Sequence, residues 1–171
     1  MTEAALVPES PQAPSVIRLL LNKLGVAYEE VLDHHGLNAS RKVQAVLLDD
    51  AVGALMVLFP QSQLLDLNRL AELTGRRLTA VSTERLEKML GKHSLSLLPG
   101  LPALTSSPCL YEESLLREPK LLINSGEPGL LLEISSEDFK SMLTKASAAN
   151  FGEALSSIRP NLDRPDDDRE E

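Results

Sequence analysis

A lysine stands directly in front of a strongly apolar run in "KVQAVLLDD", residues 42–50. An ammonium group at the entrance to a buried strand can present a fixed positive charge to an anion or to a carbonyl oxygen, or have its pKa lowered by desolvation. The alternative is a solvated cation whose aliphatic stem covers core residues. Lys42 is therefore a candidate for chemistry, although its spacing alone favours the solvated alternative.

A second candidate is the glycine-rich stretch "NSGEPG", which contains Ser125, Gly126 and Gly129. Glycines let a backbone approach a ligand closely, and a run of free amides can bind a carboxylate or an oxyanion. A plain hairpin turn explains the same residues equally well. The stretch gains meaning only in combination with other parts of the chain.

The other reactive side chains offer little chemistry. His34 and His35 are adjacent, His93 stands apart from them, and no acid completes a metal-binding spacing, so we expect no metal and no cofactor. Cys109 lies between Pro108 and a leucine and is interpreted as a small buried apolar residue. The sequence contains neither a Gly-x-Ser-x-Gly elbow nor a phosphate-binding glycine loop.

The elements that must position these residues are readable from periodicity and end signals. Before Lys42, "PSVIRLLLNKLG" predicts a helix and "VAYEEVLDHH" a strand. After it, "VQAVLLDD" and "GALMVLFP" predict a hairpin. Two helices follow, in "LLDLNRLAELTGRR" with Asp66 as cap and in "STERLEKMLG" with Ser82 as cap, separated by the short strand "LTAV".

The second half begins with "KHSLSLLPGLPALTSS", which has no clear period and is interpreted as a packed loop. Strands are predicted in "CLYEESLL" and "PKLLINSG", the latter paired with "GLLLEI" through the "SGEPG" turn. Ser135 is expected to cap the next helix, and a last helix is predicted around residues 151–158. The order of elements indicates an α+β domain with a mixed, largely antiparallel sheet of about six strands and surrounding helices.

Composition limits the partners of the protein. The 171 residues carry a formal net charge of -8, and only 3% are aromatic. A phosphate-rich partner would therefore have to be held by a local patch, and we expect no DNA binding. We predict a flexible lead-in over residues 1–13, one domain over 14–158 and an acidic flexible tail over 159–171. Without a secretory signal or a long apolar run, the expected location is cytoplasmic, with no membrane association.

Taken together, the order of these motifs resembles the YbaK/prolyl-tRNA editing domain family over about residues 14–145. The resemblance rests on Lys42 opening its strand, on "LDLNRLAELTG", on a proline loop, and on "LLINSGEPGLLLEISSEDFKSML". Editing members of that family remove a wrong amino acid, such as alanine or cysteine, from tRNA for proline. The resemblance thus implies an aminoacyl-tRNA deacylase, a hydrolase that acts on an ester.

Carried over by position, the resemblance assigns Lys42 the catalytic role. It assigns substrate binding to the turn residues Ser125, Gly126 and Gly129, and to Pro99 and Gly100 in the proline loop. The chemistry would be attack on the aminoacyl ester by water or by the substrate's own side chain, with Lys42 and backbone amides orienting the ester. Such chemistry needs neither a metal nor a protein nucleophile.

The chain departs from the editing pattern at two places. The family's loop carries Gly-x-x-x-Pro, whereas here Leu95 precedes Pro99 and Leu98 precedes Pro102 by four residues. The segment before Lys42 is also shorter than in editing members. Two stretches, "LLDLNRLAELTGR" and the leucine-rich loop ending "SSPCLYEESLL", are similar to YbaK-like domains that precede an HDOD domain in bacterial signalling proteins. A non-catalytic module that binds a ligand, tRNA or protein therefore stays open beside the deacylase.

Overall fold

A computed structural model describes residues 12–105, 107–143, 147–149 and 152–154. The helices and strands follow in chain order: α1 (Ser15–Leu24), β1 (Glu29–Leu32), β2 (Val43–Asp49), β3 (Ala54–Pro60), β4 (Gln63–Leu65), α2 (Leu67–Thr74), β5 (Thr79–Ala80), α3 (Thr83–Gly91), α4 (Pro102–Thr105), β6 (Cys109–Glu112), a 3-10 helix (Glu113–Arg117), β7 (Lys120–Asn124), β8 (Leu130–Ser135), α5 (Ser136–Met142), β9 (Ser147–Ala149) and β10 (Gly152–Ala154).

The largest sheet has the strand order β5-β2-β3-β6-β9. The hairpin predicted from the sequence forms its centre, with β2 antiparallel to β3 in a register that pairs Val43 with Pro60 and Asp49 with Ala54. Strand β6 joins β3 in parallel, and β9 joins β6 in parallel. Strand β3 is buried on both faces. Its continuous apolar run suits this position, because no side chain of the strand has to face water.

A second sheet has the order β1-β8-β7, with both pairs antiparallel. The two sheets meet where Lys42 forms a parallel bridge with Leu122 of β7, and the amide of Leu122 donates to the carbonyl of Arg41 at 2.8 Å. The start of β2 is therefore held by β3 on one side and by β7 on the other. This junction places Lys42 close to the turn that follows β7.

Local end signals define the helices. Asp66 and Ser82 accept hydrogen bonds from backbone amides at the starts of α2 and α3, and Ser135 does the same for α5. Helix α1 ends at Leu24 and is capped by Gly25, whose φ of +73° favours glycine. The three caps read from the sequence are thus confirmed.

The α+β class with a mixed, largely antiparallel sheet is confirmed, and every strand predicted from the sequence is present. Three further strands, β4, β9 and β10, are only three residues long. The predicted strand "CLYEESLL" is half right, because its second part forms the 3-10 helix.

The helix predicted around residues 151–158 is wrong over Gly152–Ala154, which form β10 and pair with β4. Pairing with a distant strand overrides the local pattern there, and residues 155–158 lie outside the described part. The domain limits stay predictions. Within the expected lead-in, Ala13 is buried and its amide donates to Glu30 Oε2 at 2.8 Å.

Candidate functional site

Lys42 directs its ammonium group toward the loop that follows β1. Its Nζ lies 2.8 Å from Asp33 Oδ1 and 3.3 Å from the carbonyl oxygen of His34. The side chain is 14% exposed, so its stem is covered while its tip reaches the surface. An ammonium has three hydrogens to donate, and among the described residues only these two acceptors are within reach of Nζ. One donor is left for a ligand.

Asp33 connects the lysine to the glycine-rich turn. Its carboxylate holds Lys42, and its amide donates to the carbonyl oxygen of Gly129 at 2.9 Å. The sequence analysis did not single out Asp33, because an acid nine positions before a lysine in a loop matches no recognisable spacing. The sequence showed only that Asp33 follows a predicted strand. Its closeness to the glycine turn depends on the pairing of β1 with β8.

The turn between β7 and β8 is held by its own side chains. Ser125 is fully buried; its hydroxyl donates to the carbonyl of Leu130 at 2.8 Å and accepts from the amide of Glu127 at 3.1 Å. The amide of Gly126 donates to Asn124 Oδ1 at 2.8 Å. Gly126 and Gly129 have φ values of +93° and +80°, which favour glycine. The serine hydroxyl thus stabilises the turn rather than facing a ligand.

Leu95 packs directly on this turn. A Cβ added at Gly126 would lie 2.7 Å from Leu95 Cδ2, so the leucine occupies the space beside the glycine. The amides of Ser96 and Leu97 both donate to the carbonyl of Gly126, at 3.1 and 3.3 Å. The loop after α3 is therefore fastened to the turn by backbone hydrogen bonds and by a buried leucine. The leucine four residues before Pro99 was evident in the sequence, but its contact with Gly126 follows only from the fold.

The other two predicted binding residues lie deeper. Pro99 and Gly100 are buried, and a Cβ at Gly100 would meet the side chains of Val43, Leu58 and Ile123 at 3.6–3.8 Å. The structure thus brings Lys42, Gly126 and Gly129 into one region through Asp33 and the turn. It places Gly100 against core side chains instead.

Cys109 is buried at the start of β6, and burial raises the pKa of its thiol to about 12. Because only the thiolate is a strong nucleophile, this cysteine is unsuited to covalent catalysis near neutral pH. Within the described ranges, no three His, Cys, Asp or Glu side chains are grouped so that they could hold a metal ion. No helix in the same ranges is long and apolar enough to cross a membrane.

The fold is thus an α+β domain in which a lysine precedes β2 and is linked through Asp33 to a glycine turn. The family model for the aminoacyl-tRNA editing domain matches residues 24–142. The chain therefore belongs to the aminoacyl-tRNA editing domain family. No curated protein matches the sequence.

Solved structures have the same fold. A candidate signal transduction protein from Marinobacter aquaeolei VT8 superposes with a TM-score of 0.82 at 26% identity, over 92% of this chain and 35% of that one. This chain therefore spans about a third of the length of that protein. A candidate trans-editing enzyme for prolyl-tRNA synthetase has a TM-score of 0.68 at 20% identity, over 84% of this chain and 100% of that one.

Proposed function

We propose that the domain hydrolyses the ester of mischarged aminoacyl-tRNA, with tRNA for proline as the expected substrate and the cytoplasm as its location. The family supports this reading. The observation that carries it is the ammonium group of Lys42, which is held by Asp33 and His34 beside the turn and keeps one donor for a ligand oxygen.

The reaction needs no covalent enzyme intermediate. Water, or a side chain of the substrate, attacks the ester carbonyl carbon, and negative charge develops on the carbonyl oxygen. A fixed ammonium near that oxygen stabilises the charge without reorganisation. The bond between the carbonyl carbon and the ribose oxygen then breaks, and the proton released by the attacking water or side chain restores the terminal hydroxyl of the tRNA. Lys42 would supply the positive charge, and Asp33 would fix its position.

The direct test follows ester loss from tRNA for proline charged with alanine, cysteine or serine. We expect wild-type protein to accelerate loss of at least one ester, and Lys42→Ala to reduce the rate by about 100-fold, the scale of removing one charge-stabilising donor. Lys23→Ala, which changes an exposed lysine in the last turn of α1, is the matched control and should keep the rate. Equal rates for Lys42→Ala and wild type would exclude a catalytic role for this lysine.

A second candidate function is a module that binds its partner without hydrolysis, and Leu95 favours it. The leucine fills the space beside Gly126 and stands where the Gly-x-x-x-Pro pattern has a glycine. The similarity to one third of a longer candidate signal transduction protein points the same way. In that case the domain would serve bacterial signalling together with a further domain, such as one of the HDOD type.

Leu95→Gly separates the two candidates. The change recreates the Gly-x-x-x-Pro spacing with Pro99 and empties the space beside Gly126. If the leucine blocks hydrolysis, an inactive wild type should gain activity that Lys42→Ala abolishes. Leu97→Gly in the same loop is the control, because that side chain is 37% exposed and its removal adds the same backbone freedom. An active wild type that is unaffected by Leu95→Gly would contradict the second candidate.

A further inference from the structure

Helix α3 presents three cations on one side. Arg85, Lys88 and Lys92 are separated by three and four residues, which places them on a common face along the end of the helix. Within the described part of the chain, Lys88 and Lys92 make no ion pair and no side-chain hydrogen bond, and both are exposed. In a protein whose net charge is -8, such a row is a local exception.

These cations border a groove of about 380 Å³. Its floor is apolar, with Leu47, Val81 and Met89 among the lining residues. The hydroxyl-bearing residues Thr105 and Ser107 line the groove as well. An apolar floor with cations and hydroxyls around it suits a ligand whose phosphates meet the cations while its sugar or base covers the floor.

The two ends of the groove lie at different distances from the candidate site. At one end, Arg85 forms an ion pair with Asp49, the last residue of β2. That end is about 23 Å from Lys42 along the extended strand. At the other end, Lys92 is followed four residues later by Ser96, whose amide donates to Gly126. Four residues span at most about 14 Å. The Lys92 end of the groove therefore lies within about 14 Å of the segment that contacts the glycine turn, a distance that a few nucleotides can bridge.

We propose that the α3 groove binds the phosphate backbone of RNA and that, resting on the proposed function, it holds the acceptor end of the tRNA while the ester reaches Lys42. Net negative charge elsewhere on the protein makes a local patch the required means of contact. Of the three cations that line the groove, Lys88 and Lys92 have no ion pair within the described part of the chain, so they are available to contact phosphates.

The test measures binding of uncharged tRNA by fluorescence anisotropy at several salt concentrations. Lys88→Gln/Lys92→Gln should weaken binding at least about tenfold at 0.1 M salt and reduce the slope of log K against log salt by about 1.5, since each phosphate contact contributes about 0.7–0.9. Glutamine preserves helix propensity, so the fold should be kept and an unchanged Tm should show it.

Lys23→Gln/Lys140→Gln is the matched control, because it removes two exposed lysines outside the groove. It should change affinity less than twofold. Equal weakening by both double variants would overturn the assignment, and so would tighter binding of polyglutamate than of tRNA. This tRNA carries no amino acid, so its binding is measured separately from hydrolysis. Binding that depends on the α3 lysines, together with no hydrolysis of aminoacylated tRNA, would support the inference and reject only the deacylase. Hydrolysis of charged tRNA that is indifferent to the α3 variants would do the reverse.

Discussion

Lys42 differs from an ordinary lysine at the end of a strand in how its ammonium group is held. Two of its three hydrogens point to Asp33 and to the carbonyl of His34, and its stem is covered by neighbouring residues. A solvated lysine would lose much rotational freedom to reach a ligand in one fixed orientation. In this protein the loss of side-chain freedom occurs on folding, so the charge is pre-organised before a ligand binds.

Asp50 and Arg76 form an ion pair in which the guanidinium contacts both carboxylate oxygens. Arg76 Nε and Nη2 lie 2.9 and 2.6 Å from the two carboxylate oxygens of Asp50, and Nη2 also donates to the carbonyl of Gly53. Hydrogen bonding to the Arg76 guanidinium holds the pKa of Asp50 well below its usual range. The pair fastens the end of α2 to the β2-β3 turn.

This pair predicts a pH dependence of stability. Since folding lowers the pKa of Asp50, its contribution is complete above the ordinary aspartate pKa of about 4 and is lost as the pH falls toward the folded value. Asp50→Asn should therefore be less stable than wild type at pH 7, and the difference should shrink on acidification. Urea denaturation at pH 7 and pH 3 measures it. Glu72→Gln, an exposed change on α2, is the control, and a difference that grows toward pH 3 would contradict the prediction.

At the scale of elements, the loop after α3 and the turn after β7 act as one unit. Ser94 enters the loop with a φ of +57°, and the following residues hold Gly126 by two backbone hydrogen bonds and by Leu95. Leu95 is only 7% exposed, so it cannot rotate away without displacing packed neighbours.

Two glycines of the same turn separate steric contact from backbone strain. Both Gly126→Ala and Gly129→Ala impose a left-handed conformation on alanine, at about 1–2 kcal/mol each. Only Gly126→Ala also meets Leu95, because nothing lies within 4 Å of a Cβ at Gly129. The free energy of unfolding in urea should fall by about 1 kcal/mol more for Gly126→Ala. In a Leu95→Ala background, the two glycine substitutions should lower the free energy of unfolding equally. An equal loss for both substitutions in the wild-type background would refute the contact.

At the scale of the whole molecule, short strands near the end of the described chain complete two sheets. Strand β9 covers the edge of β6 in the five-stranded sheet, and β10 pairs with β4. An uncovered strand edge is a template for pairing with another molecule. The segments that follow α5 therefore contribute to the domain although the family match ends at residue 142.

Truncation tests that contribution. A chain that ends at Leu143 lacks β9 and β10, and we expect its Tm to fall by about 5 °C or more, with increased light scattering from self-association. A chain that ends at Ile158 keeps every described element and removes all the acidic residues of the predicted tail. It should unfold near the wild-type Tm. The prediction fails if both truncated chains melt alike.

Features of local structure could be predicted from the sequence, because they depend on residues that are close together in the chain. The caps Asp66 and Ser82, the β2-β3 hairpin and the glycine turn were readable because each signal lies within a few positions of the feature it defines. The order of these motifs also indicated the family, and Lys42 was recognisable as the first residue to mutate.

The contacts of Lys42 follow from the tertiary structure and could not be predicted from the sequence. Asp33 reaches Lys42 because β1 pairs with β8, and Leu95 meets Gly126 because the loop after α3 is hydrogen-bonded to the turn after β7. The same holds for β10, where pairing with β4 replaced the helix that local periodicity favoured. Contacts between residues far apart in the chain follow from sheet register and helix direction, and neither is encoded in any short stretch of sequence.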